Sequence, residues 1–112
     1  MSTVTLVQLV APVQLAASDT ALYTTPANTT AKIGRAVFTN TSGSPVTITA
    51  AITTGGVLTA ANTLISARTL APGEAYVSPE LAGAVLQAGS ALHALAGSGG
   101  AVTFTASGLT IV

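Results

Sequence analysis

The chain predicts an all-β fold, a single-domain β-sandwich or jelly-roll-like structure of short antiparallel strands, on three observations. Apolar and polar residues alternate with a period of two rather than 3.6. Thr and Val recur where a β-branched side chain packs well on a pleated surface. Turn-forming residues interrupt the pattern about every 8 to 12 residues, which is the strand spacing of a sandwich.

The elements follow in order. Residues 3–10 form a first strand, and an extended piece continues after Pro12. Residues 21–24 form a short strand before a turn at Pro26, Ala27 and Asn28. Residues 30–39 alternate well, with Ala31, Ile33, Arg35, Val37 and Thr39 on one face and Lys32, Gly34, Ala36, Phe38 and Asn40 on the other. Both faces mix apolar and polar side chains, so the pattern alone leaves the inward face open. Asn40-Thr41-Ser42-Gly43-Ser44-Pro45 is a dense turn signal, and the alternation of Val46, Ile48 and Ala50 after it predicts a hairpin.

Gly55-Gly56 and Ala60-Ala61-Asn62 bracket a loop, and residues 64–70 return as a strand. Pro72-Gly73 turns the chain into residues 74–78. Ser78 suits a helix N-cap and Pro79 the first helical position, so Ser78-Pro79-Glu80-Leu81 predicts one brief helical turn. Residues 85–87, 91–96 and 101–106 are three further strands, with Gly97-Ser98-Gly99-Gly100 as a hairpin tip, and residues 109–112 close the chain after Gly108.

Composition bounds the function. Only 5% of the 112 residues are charged, against about a quarter in an ordinary soluble domain. Such a surface cannot disperse itself by charge repulsion, which predicts that copies of the chain or a larger assembly cover much of it. About a fifth of the residues are Ala and 4% are aromatic, so the core is thin for one small domain and subunit contacts are the expected support.

The six charges, Asp19, Lys32, Arg35, Arg68, Glu74 and Glu80, are scattered and sum to zero. They form no basic stripe to follow a phosphate backbone, and Tyr23, Phe38, Tyr76 and Phe104 are not interleaved with cations, so no nucleic-acid partner is expected. In this sparse field Arg35, Arg68, Glu74 and Glu80 are each able to set register between subunits by pairing with an opposite charge; solvation is the alternative.

Mean hydropathy is +0.70, yet Gly83, Gly89, Gly97, Gly99, Gly100 and Gly108 break the uncharged C-terminal third, leaving no apolar run of about 20 residues for a spanning helix. No membrane partner is expected. Residues 4–17 are apolar but lack a preceding Lys or Arg and contain Gln8, Pro12 and Gln14, so they read as mature structure rather than a signal core. Residues 1–17 form an N-terminal strand or assembly arm, and residues 18–112 the sandwich domain.

Chemistry-bearing patterns are sparse. The sequence holds no Gly-x-Ser-x-Gly elbow, no phosphate-binding Gly-rich Lys motif and no closely spaced acidic pair, so no catalytic residue and no small-molecule substrate is expected. A single His93 and no cysteine make neither a metal site nor a cofactor site. His93 shares its face with Ala91 and Leu95 and has a structural or interfacial role, unless a charged partner turns it into a proton switch. A Ser-His-Asp set requires the fold to bring Asp19, His93 and a serine together. Asn28-Thr29-Thr30 and Asn40-Thr41-Ser42 match glycosylation acceptors but read as turns whose side chains bond nearby backbone.

One set of motifs carries a likeness: Tyr23-Thr24-Thr25-Pro26-Ala27-Asn28-Thr29-Thr30, Phe38-Thr39-Asn40-Thr41-Ser42-Gly43, Leu70-Ala71-Pro72-Gly73-Glu74, Val85-Leu86-Gln87-Ala88-Gly89 and Ser107-Gly108-Leu109-Thr110-Ile111. From Leu22 onward the chain resembles the small β-sandwich structural proteins of tailed-bacteriophage virions. The resemblance implies a virion part without naming its place in the particle. The preferred expectation is a non-enzymatic capsid decoration or cement protein, assembled in the host cytoplasm, that partners itself, as a homotrimer, and a major capsid protein. Tail, neck or fibre components share the pattern. A carbohydrate-binding module is an alternative from another class, but it requires exposed aromatics.

Overall fold

The computed structural model describes residues 3–112, among which nine strands form two antiparallel sheets. The strands are β1 (Val4–Gln14), β2 (Thr20–Thr24), β3 (Thr30–Asn40), β4 (Val46–Thr53), β5 (Thr63–Leu70), β6 (Ala75–Val77), β7 (Val85–Leu86), β8 (Ala91–Ala96) and β9 (Val102–Ile111). Sheet A has the order β1-β9-β3-β6, with β7 continuing the β6 edge along β3, and sheet B has the order β2-β8-β4-β5. The predicted fold class holds.

The path is that of an antiparallel ribbon rolled on itself. If β6 and β7 are one interrupted strand, the first strand pairs the last, the second the next to last, and so inward to β4 with β5. Rolling then closes β9 onto β3 and β8 onto β4. This is the jelly roll. The chain is elongated, 49 × 25 × 20 Å.

Two predicted hairpins are corrected by this topology. The turn at residues 41–45 joins β3 in sheet A to β4 in sheet B, and residues 97–101 likewise carry the chain from β8 to β9 across the sandwich. Asn40 supplies the reason for the first crossing. Its fully buried Nδ2 donates to the carbonyls of Ser44 at 2.8 Å and Leu70 at 3.0 Å, while its Oδ1 accepts from the Ser42 amide and hydroxyl at 2.9 and 2.7 Å. The side chain thereby ties the corner to a strand of the opposite sheet, and its four hydrogen-bonding positions are filled.

Bulges settle the faces that alternation left open. In β3, Ile33 pairs Gly108 but Arg35 pairs Ser107, so Gly34 is one extra residue. Before it Ala31 and Ile33 are buried; after it Ala36, Phe38 and Asn40 are. Both halves of β3 therefore face the same core, and Lys32 and Arg35 both point outward. β1 has two such bulges, after Val7 and after Val10, which is why the adjacent Leu9 and Val10 are both buried and why Pro12 is accommodated within one strand. β1 pairs β9 of its own chain, as an edge strand. The two C-terminal strand segments are one strand, β9, continuous through Gly108.

The core centres on Phe38 and Phe104, whose ring centroids lie 4.6 Å apart. Around them pack Leu15, Ile33, Ile48, Leu70, Leu81, Leu86, Leu92 and Val102, with Ala filling the narrow places. Ser78 caps one turn rather than a helix: its Oγ accepts from the Leu81 amide at 3.2 Å and its carbonyl from the Ala82 amide.

Candidate functional site

Two places gather the rare polar chemistry: the outer face of sheet B around His93, and the outer face of sheet A along β3. On β8, Leu92, Ala94 and Ala96 face the core, which turns His93 outward beside Ala51 of β4 and Ala21 of β2. His93 and Ala51 are nevertheless buried, and so is Thr53 on the same face.

The cover is the β4–β5 connection, residues 54–62. Thr53 lies level with Ala91, whereas Asp19 immediately precedes Thr20, which lies level with Ala94. The Leu58 amide donates to Asp19 Oδ2 at 3.0 Å, so the loop must fold back over the sheet to reach it. Asp19 Oδ1 meets His93 Nδ1 at 2.6 Å. One carboxylate therefore pins the loop to the sheet. The Leu58 amide, then the His93 contact, hold the Asp19 carboxyl below its ordinary pKa of 3.8 against the opposing effect of burial. An ionised carboxylate only accepts, so Nδ1 carries the proton in this contact.

The fold thus brings Asp19 and His93 together across 74 residues and supplies the charged partner that nothing local in the sequence locates. It does not complete a triad. Among the described residues no hydroxyl hydrogen-bonds the ring, and the Thr53 hydroxyl on the same face is buried without a partner. The described residues enclose no pocket, and no three His, Asp or Glu side chains converge among them.

Three of the four charges expected to set subunit register are engaged within the chain. Arg68 lies on the core-facing side of edge strand β5 and stacks over the Tyr76 ring, 4.1 Å from its centroid, closing the sandwich edge between the sheets. Tyr76 donates to Glu80 at 2.5 Å, and Ser78 donates to the same carboxylate oxygen at 3.2 Å. The Tyr76 hydroxyl holds the Glu80 carboxyl below its ordinary 4.5, and burial followed by the Glu80 contact raises Tyr76 above its ordinary 10.0. Glu74 accepts from the Ala71 amide at 2.7 Å. Arg35, and with it Lys32, makes no ion pair or side-chain hydrogen bond among the described residues.

These two cations sit in an apolar setting. Pairing aligns Leu6 with Leu109, Leu109 with Lys32 and Lys32 with Val85, so one row crosses the outer face of sheet A. The next row places Val4 beside Ile111, and further along β3 Val37 pairs Val77. Leu6 is 82% exposed and Val4, Val77 and Val85 at least half exposed. Sequence reasoning singled out Arg35 but missed Lys32 and these apolar partners; the signal was Gly34, since a lone glycine inside a strand marks a bulge.

The aromatics form no exposed platform. Phe38 and Phe104 are buried, Tyr76 carries Arg68, and Tyr23 packs against the core.

No protein-family model and no curated protein matches the chain. Among solved structures, the crystal structure of infectious bursal disease virus VP2 subviral particle is similar, with a TM-score of 0.54 and 15% identity over 98% of this chain and 32% of that one. The structure of the infectious bursal disease virus Gx strain is similar with a TM-score of 0.50 and 17% identity, over 99% of this chain and 32% of that one. The chain thus spans about a third of the length of both. At this identity the likeness is one of fold, and the strand order of the two sheets defines that fold as a jelly roll.

Proposed function

We propose that the chain is a non-enzymatic structural subunit of a virion, and specifically a capsid decoration or cement protein that binds copies of itself and a shell protein. The observation that carries the reading is the outer face of sheet A, where Val4, Leu6, Val77 and Val85 lie exposed on a chain with almost no charge to disperse it. A repeating shell gives such a face many equivalent contacts, each modest and together large. The jelly-roll likeness to a subviral-particle protein supports a virion setting. The Asp19 carboxylate that meets His93 also holds the Leu58 amide, which supports a structural use of that histidine.

Self-association uses the free edge of β1. That edge adds to a sheet of the neighbouring copy, backbone hydrogen bonds supplying affinity; head-to-tail contacts form a ring when the rotation between copies closes, and the closed form proposed here is a trimer. Sedimentation equilibrium at micromolar protein tests this: a trimer is expected, and a stable folded monomer contradicts it. Deleting residues 2–10 separates folding from loading. Leu9 and Val10 leave the core with this segment, so circular dichroism first establishes that the truncated protein folds; if it folds and no longer enters particles the segment is an arm, and the same oligomer loading at full occupancy refutes it.

A further inference from the structure

We propose that the outer face of sheet A is a docking surface for an acidic protein surface, one that sets carboxylates among apolar side chains, and that Lys32 and Arg35 are its selective contacts. The inference rests on the structural-subunit reading above and names the face and the chemistry of its partner.

Charge identifies the occupant. Of the chain's six charged side chains, Asp19, Arg68, Glu74 and Glu80 are engaged internally. The two left over have the same sign and lie on the same face of the same strand, because the Gly34 bulge rotates Arg35 onto the side of Lys32. Without that extra residue a spacing of three would set them on opposite faces. A second copy of this chain fits the face poorly. It would bring like charges together, and its own carboxylates are already engaged by Leu58 and His93, by Ala71, and by Tyr76 and Ser78.

The apolar frame identifies the partner as protein. Lys32 stands between Leu109 and Val85 in a row that begins at Leu6, and Arg35 lies nearer the Val37 and Val77 row. Two cations neutralise too few phosphates to hold a nucleic acid, and the exposed Leu6 and Val85 would meet only its sugar-phosphate surface. A face four strands wide at about 4.8 Å and ten residues long covers on the order of 600 Å², close to the ~800 Å² per partner of a standard interface. An interface of that size, with an apolar centre and few charges, takes its specificity from those charges.

The test has two arms. In the first, the ¹⁵N-labelled protein is titrated with a synthetic peptide of alternating Val and Glu, with a 30-base-pair DNA duplex, and with phosphatidylserine-phosphatidylcholine vesicles. Shifts confined to the outer face of sheet A, at Leu6, Lys32, Arg35, Val77, Val85 and Leu109, with the peptide, abolished in Lys32→Glu/Arg35→Glu, are expected. No peptide shifts at millimolar concentration, shifts elsewhere, or tighter binding to duplex or vesicles would overturn the proposal. In the second arm, particles stripped of the chain are reloaded. The double reversal should weaken loading about a hundredfold while Lys32→Arg and the sheet B control Thr69→Glu load normally. Wild-type and doubly reversed protein loading equally refutes the face and leaves the structural role standing. Wild-type protein that maps the peptide to this face yet loads on no particle refutes the structural role instead. All variants lie at exposed positions, and unchanged melting checks that each is folded.

Discussion

Gly108→Ala should be among the most damaging single-methyl additions in the chain, because it strikes the place where three strands and the β3 bulge meet. Gly108 pairs Val7 on one side and Ile33 on the other. A Cβ built there falls 1.9 Å from the Lys32 carbonyl oxygen, 2.9 Å from its carbon and 3.0 Å from the Gly34 nitrogen. These are backbone atoms, so no rotamer change relieves the overlap. Restoring ordinary contact, which begins near 3.4 Å, forces β9 and β3 apart by roughly 1.5 Å, enough to break local ladder bonds. Two lost bonds at about 1 kcal/mol each, with about 1–2 kcal/mol of overpacking strain, give a destabilisation of about 3–4 kcal/mol. That is a large part of the ~5–15 kcal/mol of a small domain.

Gly34→Ala is the matched control, since its Cβ meets the Ser107 oxygen at 3.5 Å and the Gly108 Cα at 3.7 Å, both ordinary contacts. It should stay within about 1 kcal/mol of wild type. Urea unfolding followed by circular dichroism measures both. Equal effects for the two substitutions, or a Gly108→Ala protein as stable as wild type, would refute the close-approach argument and with it the bulge that sets Lys32 and Arg35 on one face.

Further outcomes follow from the same contacts. Asn40→Ala leaves the Leu70 and Ser44 carbonyls without their buried donor and should cost about 2–4 kcal/mol in the same urea assay; a loss below 1 kcal/mol would show that the corner holds without its amide. Thr53→Val replaces a buried, unpartnered hydroxyl by an isosteric methyl and should stabilise by about 1 kcal/mol, with a lower melting temperature as the contrary result. Asp19→Ala removes the pin on residues 54–62, so their amide exchange and proteolysis should rise while β3 and β9 stay protected; unchanged exchange in the loop would place the pin elsewhere. Because the Asp19 pKa is depressed in the folded protein, its contribution is complete above 3.8 and fades as pH falls through the lower folded value. Loop protection, taken relative to the intrinsic exchange rate at each pH, should therefore fall on acidification below 3.8, and a loss of protection confined to alkaline pH would reverse the sign. The Tyr76–Glu80 contact adds a second window: its contribution fades as pH falls below 4.5 through the Glu80 value and as it rises above 10.0 through the Tyr76 value. Tyr76→Phe should flatten both limbs of the stability profile.

Much of the fold was legible because a period of two and regular turn signals are local properties. Strand existence followed from them, down to short pieces such as Val85–Leu86. The sheet assignment was not local. The same Asn40 to Pro45 turn signal serves a hairpin or a sheet-to-sheet corner, and the choice is made by an amide reaching Leu70, 30 residues away. The inward face of β3 was undecidable by alternation because Gly34 inserts a residue and changes which parity is buried. His93 and Asp19 were both visible as rare residues, but nothing local joins groups 74 positions apart. Arg68, Glu74 and Glu80 looked available for a partner until tertiary structure placed Tyr76, Ala71 and Ser78 against them. Scarcity of charge was readable from composition, whereas which charges remain free is a property of the folded surface.

The central claim is that this jelly roll is a structural part of a particle and sits on it through the outer face of sheet A. A cryo-electron-microscopy map of particles that carry the chain tests both halves at once. The account predicts sandwich density repeated at equivalent shell positions, with Leu6, Lys32, Arg35 and Val85 against an acidic, apolar patch of the shell protein. Particles without stoichiometric copies of the chain, or copies seated with the His93 side of sheet B against the shell, would contradict it.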